Sequence, residues 1–190
     1  MRKAKELIGK PIVDQASGQH IATVHDLIFG SDAHHVAALL VENGGWFHDA
    51  RVVCWDAIAN IGDVVMVQGD TAIAKASETP ELADELKQDV RLSGLPIMSD
   101  SGERVGTVGD LFIDDAGVVV GYEIKQGFIS DLTGRKFLFA ESVQTVGRDA
   151  VIANVNELTT LKQAQDQIAQ RSVAPADPFV EPGHEDERIV

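Results

Sequence analysis

The chain repeats itself. Leu7 to Val67 aligns with Leu92 to Ile152. The opening Leu7-Ile8-Gly9-Lys10-Pro11-Ile12 returns as Leu92-Ser93-Gly94-Leu95-Pro96-Ile97, and Ser17-Gly18 returns as Ser101-Gly102. Thr23-Val24-His25-Asp26-Leu27 returns as Thr107-Val108-Gly109-Asp110-Leu111, and Ile58 with Ile61-Gly62 as Val143 with Val146-Gly147. The gaps fall in turns, and order, spacing and apolar pattern are kept together. A period of about 85 residues is too long for a solenoid repeat, so the plain expectation is two tandem domains.

Each copy reads as short strands. His20 to Phe29 is rich in β-branched and apolar residues but also fits a helix period. Its counterpart, Arg104 to Ile113, settles the matter, because Gly106 and Gly109 would cost a helix about 1 kcal/mol each, whereas in a strand they mark a bend or a close backbone approach. Val36–Glu42 and Val118–Ile124, Val52–Trp55 and Phe137–Phe139, Val64–Val67 and Ala150–Ile152 complete the strand pairs. Asp14–Gly18 and Asp100–Gly102 are hairpin turns, followed by turns at Ser31–Ala33 and Asp114–Gly117. A small sheet of short strands protects its edges by curling closed. The expected fold is therefore mainly β: two tandem small β-barrels, each followed by an α-helix.

The expected boundaries are 1–78 and 92–155 for the barrels, 79–91 for a linker helix, 156–171 for a second helix and 172–190 for a disordered acidic tail. In the linker, Thr79 is an N-cap candidate, Pro80 suits the first helical position, and Leu82, Leu86 and Val90 form a thin apolar stripe. In the second helix the stripe is Leu158, Leu161, Ala164 and Ile168. The tail is rich in Pro, Asp and Glu but carries Phe179 and ends in Ile189-Val190, apolar residues that could serve as a short docking motif.

Charge excludes one large class of partner. With 16 basic against 30 acidic residues the net charge is −14. Nucleic-acid affinity rests on neutralising phosphates with Lys and Arg, so polyanionic partners are disfavoured. No apolar run approaches the ~20 residues of a membrane helix, and the basic opening residues lack the apolar stretch of a signal peptide. A soluble, cytoplasmic protein is expected, touching a membrane only indirectly if at all.

Laid out this way, the chain resembles the PRC-barrel family, named for the cytoplasmic domain of the photosynthetic reaction-centre H subunit. A related barrel forms one domain of a small-subunit ribosome maturation factor. Three features carry the resemblance, each occurring twice. They are Leu-x-Gly-x-Pro-Ile (Leu7 to Ile12, Leu92 to Ile97), Gly-x-x-x-x-Thr-Val-x-Asp-Leu (Gly18 to Leu27, Gly102 to Leu111) and an acidic-x-apolar-x-x-apolar-Gly turn (Asp56 to Gly62, Glu141 to Gly147). The match covers residues 7–75 and 92–155. The resemblance implies small barrels of PRC type that bind protein or assemble complexes, with no catalytic residue to carry over.

The residues agree with a non-enzymatic reading. His20, His25, His34, His35 and His48 crowd the first copy, but the second puts Arg104, Gly109, Gly117, Val118 and Asp131 near those places. No ligand set recurs, so solvated strand ends and turns are expected rather than zinc. Cys54, between Val53 and Trp55, is expected to be a buried apolar residue. Asp26 and Asp110 recur at one position, which suggests a backbone-capping role, and their placement on different barrels argues against a catalytic pair. The candidate partner-binding residues are Trp46 and Phe47 in the first copy and Phe128 and Ile129 in the second, large apolar side chains beside glycines.

The expected function is that of a non-catalytic adaptor or scaffold. It would bind a protein partner through these loops or through the groove between the barrels, with no cofactor and no metal, and it could form homo-oligomers. Alternatives of other classes are an RNA-processing or ribosome-assembly factor, a reaction-centre-associated protein, and a metal-dependent protein using the first-copy histidines.

Overall fold

The structure, a computed structural model, describes residues 1–42, 50–69, 72–79, 82, 91–126 and 135–173. Apolar runs cut by glycine turns become short strands. The first copy supplies β1 (Arg2–Lys3), β2 (Pro11–Asp14), β3 (His20–Thr23), β4 (Asp26–Phe29), β5 (Val36–Glu42), β6 (Arg51–Cys54), β7 (Ile58–Ile61), β8 (Val65–Val67) and β9 (Ile73–Lys75). The second supplies β10 (Pro96–Ser99), β11 (Arg104–Ile113), β12 (Val119–Lys125), β13 (Lys136–Phe139), β14 (Val143–Val146), β15 (Val151–Ala153) and β16 (Thr159–Thr160).

The topology repeats as the sequence does. The second copy orders its strands β14-β15-β10-β11-β12-β13-β16 in one curled sheet. The first copy has the same neighbours in two four-stranded leaves, β3-β2-β8-β7 and β4-β5-β6-β9. The difference lies in the strand that turns the corner. The single strand expected over His20–Phe29 is broken at Val24-His25, while β11 runs through all ten residues. The corner itself is the same in both. Val24 and Val108 are buried there, and their amides donate to the Lys10 and Leu95 carbonyls at 2.9 and 2.8 Å. Gly109 falls in the irregular step between Val108 and Asp110 that turns β11. A Cβ on Gly106 would lie 2.6 Å from the Lys125 carbonyl oxygen, so this is the close approach the sequence implies. On the far side the leaves are joined by the chain itself, through 3-10 turns Trp55–Ala57 and Ala140–Ser142.

Each copy also carries an outer apolar patch. In the second, Phe137 stands edge-on to Phe112 and Phe139, with centroids 5.4 and 5.1 Å away. Ala164, Leu161 and Ile168 of the helix Leu161–Val173 cover this group. That helix starts later than the expected Asn156. Val155–Glu157 is a 3-10 turn and Thr159–Thr160 pairs with β13, so Leu158 leaves the helical stripe and packs on the main core. β-branched threonines favour the strand, and the ladder holds them there. In the first copy Leu82, which is helical, is buried against Ile28, Ala38 and Val52. The remainder of the expected helix over 79–91, and residues 174–190 of the expected tail, lie outside the described residues.

The two copies share one core. A single cluster joins Leu7, Ile12, Leu39, Val53 and Val65 to their counterparts Leu92, Ile97, Tyr122, Leu138 and Val151. Each fully buried Leu or Ile is worth about 1.5–3 kcal/mol, so the halves are held first by apolar burial. Hydrogen bonds add register. Val36 N donates to Gly117 O at 2.9 Å and Val119 N to His34 O at 2.8 Å across the seam. Gly117, at φ +82°, leaves room for the Trp55 ring of the first copy. β1 crosses over entirely, pairing Arg2 with Ile113 and Lys3 with Phe112, and so completes the edge of β11 that β12 does not cover.

Candidate functional site

The crossing of β1 builds a cleft at the seam. The 3-10 turn Ala4–Leu7 follows β1 and lies against β11. Lys5 Nζ donates to Gly109 O at 2.6 Å, and the Lys5 amide donates to Asp110 Oδ1 at 3.3 Å. Asp110 is buried, and the same oxygen accepts the Leu111 amide at 2.9 Å. Asp26, its counterpart on β4, accepts the Leu27 amide at 2.8 Å but is exposed. The two aspartates belong to different copies yet line the same cleft, of about 290 Å³, so their separation in the repeat does not keep them apart. Each carboxylate accepts the amide that follows it, a backbone role.

The lining of this cleft is mixed, with apolar side chains beside charged and polar ones. Leu27, Phe29, Leu92 and Leu111 form its inner surface, and Ile8 stands at the rim with 44% of its surface exposed. Ser93 occupies the repeat-related rim position, and Arg91 joins the lining. Equivalent residues of both copies thus meet at one place: Ile8 with Ser93, Asp26 with Asp110, Leu27 with Leu111.

A second charged cluster fixes β1. Glu123 on β12 is buried and accepts from Lys3 Nζ at 2.5 Å, while Arg135 Nη1 lies 3.1 Å from its other oxygen. The Lys3 ammonium also stands 5.5 Å from the Phe112 ring centre. Arg2 pairs with Asp115 and donates to Ile61 O at 2.7 Å, tying β1 to both halves.

The remaining sequence candidates are scattered. Trp46, Phe47, Phe128 and Ile129 lie outside the described residues, as does His48. His20 contacts Thr23 Oγ1 at 3.3 Å, and His35 Nδ1 lies 3.2 Å from Asp32. Among the described residues, no group of three or more His, Cys, Asp or Glu is placed to hold a metal ion. Cys54 is half-buried rather than buried, because it faces the smaller outer cluster of the first copy. Burial, and then the Asp56 charge, push its thiol upward, away from the thiolate a nucleophile needs. No helix among the described residues is long and apolar enough to cross a membrane.

The sequence reading missed Lys3, Lys5 and Ile8 as cleft or seam residues. The one available signal was an unexplained apolar residue, Ile8, where the other copy has Ser93.

With the topology and the seam established, the family follows. The PRC-barrel domain matches residues 1–73 and again 84–159, so the chain belongs to the PRC-barrel domain family, in two copies. It is also similar to the uncharacterized protein YrrD of Bacillus subtilis (strain 168), at 23% identity over 165 residues, covering 81% of this chain and 88% of that protein.

Proposed function

We propose that this chain is a non-catalytic adaptor of the cytoplasm, a tandem pair of PRC barrels that binds a protein partner. One observation carries the reading: equivalent positions of both copies converge on a single cleft at the seam, which supports one shared binding surface made by the duplication. The acidic balance of the chain favours protein over nucleic acid. The sequence positions of Trp46, Phe47, Phe128 and Ile129 supply further candidate contacts, since aromatic anchors dominate many interfaces.

Affinity purification of the whole chain from its native cell, beside a Trp46→Ala/Phe128→Ala variant, tests this. Stoichiometric capture of one protein, weakened in the variant, supports both the adaptor role and the loop contacts. Unweakened capture removes the loops from the reading. Salt-sensitive retention of RNA in place of protein would put the chain among RNA-processing factors instead.

A further inference from the structure

We infer that two copies of this chain associate through β14, the open edge strand of the second repeat, by antiparallel pairing about a two-fold axis. This goes beyond the adaptor reading and does not depend on it.

The repeat supplies its own control. β7 and β14 are counterparts, with Ile58 and Ile61 matching Val143 and Val146, and each ends its sheet. Both carry the same bulge against the neighbouring strand. An edge strand presents unpaired backbone groups to any strand that can lie beside it. On β7, side chains take backbone groups. The Ile61 amide donates to Asn60 Oδ1 at 2.7 Å, and the Ile61 carbonyl accepts from Arg2 Nη1 at 2.7 Å. Lys10 Nζ donates to the Gly62 carbonyl, just beyond the strand, at 2.7 Å. In the second copy Thr145 stands in place of Asn60 and Leu95 in place of Lys10. Among the described residues, no side chain bonds the backbone of Val143–Val146.

Charge selects the occupant. Antiparallel pairing about a two-fold axis sets the start of one strand beside the end of the other and makes every contact twice. β14 has Glu141 two residues before its start and Arg148 two residues after its end, followed by Asp149, all exposed. A second copy therefore brings its Arg148 toward Glu141 and its Glu141 toward Arg148. Glu141 contributes its charge whatever it also touches in its own copy. β7 has Asp56 two residues before its start and Asp63 two residues after its end, both exposed. The same pairing there would set like charges together, which is destabilising. Gln144 and Thr145, the exposed residues in the middle of β14, are uncharged and add no repulsion at the axis. The net charge of −14 opposes self-association, but at ~0.15 M salt charges more than about 8 Å apart are largely screened, so the pattern at the edge decides. A strand of four residues makes a small interface, so the dimer is weak and concentration-dependent.

Sedimentation equilibrium of the full chain at ~0.15 M salt, from micromolar to millimolar protein, tests this beside amide hydrogen exchange read by NMR. The expected result is a monomer–dimer equilibrium in which protection over Val143–Val146 rises with concentration and protection over Ile58–Ile61 does not. Thr145→Lys sets cations together at the axis, and Arg148→Glu sets acid beside acid. Each should raise the dissociation constant by about tenfold, and Glu141→Arg/Arg148→Glu, which exchanges the charges, should restore it. The altered side chains are exposed, and circular dichroism checks the fold. A monomer throughout, a dimer unchanged by Thr145→Lys and Arg148→Glu, or an exchanged pair that fails to restore association would overturn the inference. So would edge protection independent of concentration, the result given by a segment of the same chain lying on β14.

Discussion

Asp14 is a buried carboxylate at the first hairpin turn, and its oxygens are fully occupied. It accepts the amides of Ala16 and Gly69 at 3.1 and 2.8 Å on one oxygen, and the amide and hydroxyl of Ser17 at 3.0 and 2.6 Å on the other. Chiefly through the Ser17 hydroxyl, then through the Ala16 and Gly69 amides, its carboxyl is lowered from 3.8 to about 2. The folded chain therefore binds fewer protons here than the unfolded chain does. The stabilisation is complete above the unfolded value and is lost as pH falls through the folded one. The second copy meets the same need with a neutral group, Ser99, whose hydroxyl accepts the Glu103 amide at 3.0 Å. An Asp14→Ser variant should melt at lower temperature than the wild type at pH 7. The gap should narrow between about pH 4 and pH 2, followed by circular dichroism. A gap independent of pH would show that the carboxylate is not ionised in this role.

At the scale of elements, β1 is the smallest strand that decides most. Two residues carry no periodicity, and its partner β11 lies more than a hundred positions away, so nothing local marks it. Its hold combines the ladder with the buried Glu123, which has two cations. Losing Lys3 alone leaves Glu123 paired with Arg135, and losing Arg135 leaves Lys3. Losing both strands a buried charge, which costs about 3–5 kcal/mol. A double-mutant cycle with Lys3→Ala and Arg135→Ala in urea should therefore show the double variant destabilised by more than the sum of the singles. Additivity would mean that Glu123 finds water instead.

The same scale explains what was legible. The strands, turns and duplication were plain because β-branched runs, glycines and their recurrence are local signals. The late start of the helix at Leu161 was hidden, because the competing ladder of Thr159 with Phe137 is a tertiary contact. The cleft was hidden for the same reason. Ile8 and Asp26 are ordinary surface residues until the other copy supplies Leu92, Asp110 and Leu111.

As a whole molecule, the chain is two repeats with one interior. A shared cluster running from Leu7 and Ile12 to Leu92 and Ile97 is the main core of both copies, and each would keep only its smaller outer cluster when the other opens. Unfolding should therefore be a single transition. The chain supplies clean reporters: both tryptophans, Trp46 and Trp55, belong to the first copy, and the single tyrosine, Tyr122, to the second. Tryptophan fluorescence and fluorotyrosine NMR across a urea titration should give coincident midpoints. Midpoints that separate would show two independently stable units.

The crossing of β1 also has a consequence for biosynthesis. The strand leaves the ribosome about a hundred residues ahead of the edge it will complete, and at ~5–20 residues per second that is a delay of seconds. Throughout that time the front of the first repeat is made but uncommitted. The nascent chain finishes its earliest fold only when a late segment arrives to receive it.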